Sequence, residues 1–133
     1  MPVVDDSVPI IVRTDITRAW SLITSSTTAL QSIGSITVSS GKKLRVNCII
    51  IEAFYTTLDT TAAFLGDIRI RLSGSTKLGP YKASNTTSGA LFGIIISIPD
   101  GWKIDSDTAL DAVCTPAVVT SITWIVNIIG YEY

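Results

Sequence analysis

Short stretches rich in isoleucine and valine recur along this chain, and turn-forming residues separate them about every ten positions. β-Branched side chains are restricted at χ1 and fit the pleated surface of a strand better than the surface of a helix. Residues that favour helices are scarce: the chain has two glutamates, one glutamine and one methionine. The pattern predicts an all-β protein, an antiparallel, jelly-roll-like β-sandwich of eight to ten strands.

The length of 133 residues corresponds to one domain. Residues 1–15 contain two prolines and three aspartates among apolar residues, and they predict an extended N-terminal arm. Residues 16–133 then form a single β-sandwich domain, in which residues 16–23 fit either a strand or one helical turn. The turn sequence Ser73-Gly74-Ser75 joins two alternating stretches and predicts a hairpin of residues 66–72 with residues 76–83.

The N-terminal residues 1–6 contain no basic residue and no long apolar stretch, so no signal peptide is expected. Cys48 and Cys114 are therefore predicted to be free, buried thiols rather than a disulfide. No apolar run reaches the roughly 18 residues that a membrane helix requires, so no membrane partner is expected. Ten basic and eleven acidic residues give a formal net charge of −1, which does not favour nucleic-acid binding.

The chain has no histidine, which excludes histidine-based acid–base catalysis, Ser-His-Asp triads and histidine-ligated metal sites. The densest group of carboxylates is Asp100, Asp105, Asp107 and Asp111, and a Ca²⁺ site is one interpretation of it. The spacing does not match an EF-hand loop, and aspartates in turns more often bond their own backbone. The sequence therefore predicts a protein that is not an enzyme, with no catalytic residue, metal, cofactor or small-molecule substrate.

The alternation of apolar residues predicts which side chains form the core of the sandwich. The predicted core residues are Val46, Cys48, Ile50, Phe54, Ile68, Ile70, Phe92, Ile94, Ile96, Trp124, Val126 and Ile128.

The opposite face of several strands is also largely apolar, although the outer face of a sandwich is normally solvated. Clustered on the surface, such side chains would form a larger patch than monomers usually expose. We therefore predict a self-association surface and a closed homo-oligomer, with a trimer as the expected form. The predicted surface residues are Ile49, Ile51, Leu91, Ile95, Ile125, Ile129 and Tyr131. In the alternative interpretation, the N-terminal arm or a loop folds over the patch.

Three short segments in the last third of the chain resemble a known family: residues 98–104 (IPDGWKI), 108–110 (TAL) and 130–133 (GYEY). They are similar to segments of the small β-sandwich proteins that act as cement or decoration proteins on tailed-phage capsids. The resemblance covers roughly residues 90–133.

The resemblance implies a structural virion protein with no catalytic residues. It implies a homotrimer on the outer surface of the capsid, assembled in the host cytoplasm, that binds where capsomers meet. There it would bridge copies of the major capsid protein and reinforce the shell. An N-terminal arm is expected to contact the capsid, with Val3, Val4, Asp5, Asp6 and Val8 as the contacting residues.

The alternative function is carbohydrate recognition, as in a jelly-roll module of a phage fibre or a lectin-like protein. Exposed aromatic rings would stack on sugar faces, and the candidates are Trp20, Tyr55, Tyr81 and Trp102. Trp102 is the strongest of these, because it follows the Pro99-Asp100-Gly101 turn. It also fits a second interpretation, in which it fills the core at the start of a strand.

Overall fold

Eight β-strands account for most of the chain in a computed structural model, which describes residues 13–25, 28–55, 64–84, 92–117 and 121–133. The strands are β1 (Thr14–Thr24), β2 (Gln31–Thr37), β3 (Leu44–Tyr55), β4 (Phe64–Leu72), β5 (Ser75–Ser84), β6 (Phe92–Ile104), β7 (Ala109–Pro116) and β8 (Ile122–Glu132). The prediction of an all-β fold is confirmed. No helix long and apolar enough to cross a bilayer is found in these described segments.

The strands form two antiparallel sheets of four strands each. Sheet I has the strand order β1-β8-β3-β6, and sheet II has the order β2-β7-β4-β5. Every connection except the β4–β5 hairpin carries the chain from one sheet to the other. This strand order is that of an eight-stranded jelly roll, which confirms the predicted fold class.

The predicted local elements are found with small changes at their ends. The β4–β5 hairpin turns at Ser73-Gly74, as predicted, and the Ser73 amide donates to the Ala109 carbonyl over 2.9 Å. Residues 16–23 form a strand and not a helical turn, because the whole of β1 pairs with β8. β1 begins at Thr14, so residues 14 and 15 of the predicted arm belong to the sandwich.

A bulge at Asn47 reverses the two faces of β3. In the pairing with β8, Val46 lies opposite Gly130 and Cys48 lies opposite Ile129, so Asn47 is an extra residue. One extra residue shifts every later side chain of a strand to the other face. The inward residues are therefore Leu44 and Val46 before the bulge and Ile49, Ile51 and Ala53 after it, all fully buried.

The bulge corrects several predictions. Ile49 and Ile51, predicted on the outer face, lie in the core with an exposed fraction of 0%. Cys48, Ile50 and Phe54, predicted in the core, are half-buried and point to the outer face of sheet I. Regular alternation from Val46 onward gives the wrong face for all five residues, because it assumes an uninterrupted period of two.

Elsewhere the predicted core is largely confirmed. Ile68, Ile70, Trp124, Val126 and Ile128 are fully buried, as is Val46. Ile94 and Ile96 are only half-buried, because β6 lies at the edge of sheet I. The side chain of Phe92 lies outside the described residues. The Trp124 indole donates a buried hydrogen bond of 2.8 Å from Nε1 to Oγ1 of Thr24, which joins β8 to β1.

Candidate functional site

The outer face of sheet II is charged and internally paired. Arg71 on β4 donates two hydrogen bonds to the carboxylate of Asp111 on β7, over 2.9 Å and 2.6 Å. Arg69 and Asp67 form a second, longer ion pair of 3.5 Å. The hydrogen bonding of Arg71 to the Asp111 carboxylate raises the pKa of Arg71 and outweighs the opposing effect of burial. This face has the solvated character expected of a sandwich surface.

The outer face of sheet I presents exposed isoleucines among polar residues. The strand register aligns its side chains in rows that run across β1, β8, β3 and β6, and members of one row point to the same side. One row contains Ile129, Cys48 and Ser97, the next contains Asn127, Ile50 and Ile95, and the third contains Ile125, Glu52 and Gly93. The exposed fraction is 73% for Ile95, 63% for Ile23 of β1 and 38% for Ile129.

The structure places four of the seven predicted self-association residues on this face, namely Ile95, Ile125, Ile129 and Tyr131. Ile49 and Ile51 lie in the core, and Leu91 lies outside the described residues. Cys48, Ile50 and Phe54 belong to the face and were missed, because the bulge brings them there. The predicted capsid-contacting residues Val3, Val4, Asp5, Asp6 and Val8 lie outside the described residues.

One end of this face is cationic and aromatic. The guanidinium carbon of Arg13 lies 4.5 Å from the centre of the Tyr131 ring, and that of Arg45 lies 5.8 Å from the centre of the Tyr133 ring. The two tyrosine rings are 5.7 Å apart. Lys103 is the row neighbour of Arg45 on β6. The aromatic rings favour cations at this end of the sheet.

Two glycines lie in close contact with Arg45. A Cβ at Gly101 would collide with the Cγ of Arg45, and a Cβ at Gly130 would collide with the Arg45 carbonyl oxygen. Gly101 also has a φ of 74°, which strains any other residue. The Nε of Arg45 is buried and has no hydrogen-bond acceptor among the described atoms.

The three segments that carry the family resemblance meet at this same end of the sandwich. Residues 98–104 of β6 and 130–133 of β8 flank the start of β3 on its two sides. The carboxylate of Glu132 accepts hydrogen bonds from the amide and the hydroxyl of Ser39, and the Val38 amide donates to the Thr108 carbonyl. Residues that are far apart in the sequence therefore build one local structure.

The aromatic candidates for sugar stacking that the structure describes all pack against the core. Trp20, Tyr81 and Trp102 are half-buried, and Trp102 lies opposite Val46 on the inner side of sheet I. Trp102 lines a cavity of about 480 Å³ with Lys77, Leu78, Ile98 and Gly101. The cavity lining is mainly apolar and includes one charged side chain. Tyr55 has a side chain outside the described residues, and carbohydrate binding stays a prediction.

The structure does not bring the candidate calcium ligands and the two cysteines together into a site. Asp111, one of the four aspartates considered for Ca²⁺, is paired with Arg71. No group of three or more Cys, Asp or Glu residues is positioned to hold a metal ion in the described segments. Cys114 is free and buried, and burial raises its pKa to about 12, with a further contribution from the charge of Asp67. Cys48 is also free but only half-buried, not fully buried as predicted.

Searches of protein-family models and of curated proteins found no match to this chain.

Proposed function

We propose that this protein is a structural virion subunit, a cement or decoration protein of a tailed-phage capsid that self-associates through the outer face of sheet I. The observation that carries the proposal is the difference between the two outer faces of the sandwich. The outer face of sheet II carries two ion pairs, whereas that of sheet I presents isoleucines to solvent.

Exposed isoleucines make association favourable. Burying a large aliphatic side chain that was exposed contributes about 1.5–3 kcal/mol. Ile95, Ile129, Ile50 and Ile125 are neighbours in three successive rows, so one partner surface covers them together. Monomeric proteins rarely keep contiguous apolar patches of more than a few hundred Å² in water.

The capsid role is supported by the resemblance and by the fold. Jelly rolls recur in viral capsid and lectin domains, which is support by analogy at the level of the fold. The three segments that resemble decoration proteins converge on one end of the sandwich, next to the outer face of sheet I. A cement subunit of this kind would bridge copies of the major capsid protein on the outer surface of the virion. The trimer that the resemblance implies is one way to bury the face.

Light scattering after size exclusion tests the self-association. The unmodified chain is expected to elute as an oligomer at micromolar concentration, and Ile95→Asp is expected to be a monomer with an unchanged circular dichroism spectrum. Thr76→Asp, at an exposed position of β5, is the matched control and should leave the oligomer intact. A monomer for the unmodified chain would contradict the proposal.

The capsid location needs a separate experiment. Antibodies raised against the purified protein can be used for immunogold electron microscopy of phage particles from the source culture. Label over the heads is the expected result. Label confined to tails or fibres would replace the decoration role with a tail or fibre role, and unlabelled particles would contradict a virion protein.

A further inference from the structure

Two charged side chains on the outer face of sheet I, Arg45 and Glu52, have no ion-pair partner among the described residues. Both lie on β3 and are half-buried. The Nε of Arg45 is buried without an acceptor among the described atoms. Half-buried charges without a partner are unfavourable, because burial removes part of their hydration.

These two charges lie symmetrically on either side of the Cys48 and Ile50 rows. Because of the bulge at Asn47, the outward residues of β3 run in the order Arg45, Cys48, Ile50 and Glu52. Successive outward residues of a strand are about 6.7 Å apart, so the two charges are separated by about 20 Å. Their midpoint falls between Cys48 and Ile50. The two charges of one chain are therefore too far apart to pair with each other.

We propose that two copies form a dimer in which sheet I of one copy packs against sheet I of the other. The two-fold axis lies midway between the two sheets, parallel to them and perpendicular to the strands. The axis passes between the Cys48 and Ile50 rows, and each Arg45 forms an ion pair with the partner's Glu52. This inference rests on the self-association of the proposed function. It defines that contact as two-fold, in place of the three-fold contact that the resemblance implies.

The neighbours of the two charges fit this arrangement. Arg45 lies between Tyr131 and Lys103 in its row, and Glu52 lies between Ile125 and Gly93. The axis places the Arg45 row of one copy opposite the Glu52 row of the other. Tyr131 then meets the isoleucine of the facing row, and Lys103 lies over the glycine next to the facing Glu52 carboxylate. An axis through the Arg45 row or the Glu52 row would instead bring like charges together.

The projected area of the face is about two thirds of the area that a standard interface buries on each partner. Four strands about 4.8 Å apart and the four rows from Arg45 to Glu52, about 6.7 Å apart, cover roughly 500 Å² in projection. Protruding side chains make the accessible area larger than the projection, and a standard interface buries about 800 Å² on each partner. Aligned sheets pack about 10 Å apart in this way in β-sandwiches.

Charge reversal with rescue tests the contact. Arg45→Glu and Glu52→Arg, each alone, are expected to weaken dimerisation at least tenfold in sedimentation velocity. The double variant, and an equimolar mixture of the two single variants, are expected to recover dimerisation to within about threefold of the original. Rescue in the mixture requires the pairs to form between chains. Lys77→Glu and Thr76→Arg, at exposed positions of β5 in sheet II, are the controls and should not change the dimer.

The milder changes Arg45→Gln and Glu52→Gln give a double-mutant cycle for the same coupling if a reversal variant does not fold. An oligomer that is a trimer, or that shows no rescue, would overturn the two-fold contact and leave self-association in place. A monomer for the unmodified chain would overturn both proposals. If that monomer becomes a dimer after deletion of residues 2–12, the chain's own N-terminal residues cover the face.

Discussion

The bulge in β3 determines which of two adjacent isoleucines is in the core. Regular alternation along the strand predicts the opposite assignment. Ile49 and Ile50 are adjacent and chemically identical, and the structure buries the first completely while the second points to the outer face of sheet I. Truncation to alanine removes the same atoms at both positions. The difference in the free energy of unfolding between Ile49→Ala and Ile50→Ala therefore reports which side chain is in the core.

The size of the effect follows from burial. Truncating a fully buried isoleucine to alanine costs about 2–5 kcal/mol of unfolding free energy, because the favourable burial of the removed apolar atoms is lost and a cavity remains. At about 3–5 °C per kcal/mol for a domain of this size, Ile49→Ala lowers the Tm by roughly 6–25 °C. Ile50→Ala removes a half-buried group from the outer face and should cost less than about 1 kcal/mol in the monomer.

The measurement has to separate folding from association, since Ile50 lies on the proposed contact. Both substitutions are therefore made in the Ile95→Asp background, and unfolding is followed by tryptophan fluorescence in urea. A cost for Ile50→Ala that equals or exceeds the cost for Ile49→Ala would refute the bulge and the faces derived from it. A common m-value in the three proteins would confirm that the comparison concerns stability alone.

Three further predictions concern single interactions. Thr24→Val leaves the buried indole N–H of Trp124 without its acceptor and should cost about 1–3 kcal/mol in urea unfolding. Arg71→Ala removes two hydrogen bonds to the Asp111 carboxylate and should cost about 1.5–3 kcal/mol in the same assay. Because the pKa of Cys114 is raised to about 12 from 9.0, folding keeps the thiol protonated, and its contribution to stability is complete below pH 9 and declines as the pH rises towards 12. The stability difference between the unmodified chain and Cys114→Ala should shrink over that range by up to about 1.4 kcal/mol per pH unit, and a constant difference would contradict it.

The sequence predicts the fold well where the period of two is uninterrupted. In β8, alternation over residues 122–133 assigns Trp124, Val126 and Ile128 to the core and Ile125, Ile129 and Tyr131 to the outer face, as the structure has them. The β4–β5 hairpin is also predictable, because a Ser-Gly turn and alternating arginines fix its position.

Hydrophobic alternation does not predict the bulge, because the residues that follow Asn47 in β3 suit either face of a strand. Residues 48–51 are Cys followed by three isoleucines, so hydrophobicity alone cannot assign them a side. Glu52 contains the missing information: with regular alternation from Val46, it would point inward beside Ile50. A carboxylate in an apolar core costs several kcal/mol, which favours the shifted register.

The same bulge therefore connects the core to the proposed contact. It turns Ile49 and Ile51 inward, which fills the space opposite sheet II, and it turns Glu52 outward onto the face that already carries Arg45. Without the extra residue, β3 would present arginine and isoleucines to the outside but no carboxylate, and the β3 strand of a second copy would offer no opposite charge to Arg45. Core packing and the charge pattern of the outer face thus depend on a single residue, Asn47. The charge-reversal experiment and the alanine pair at positions 49 and 50 test this one structural feature from its two sides.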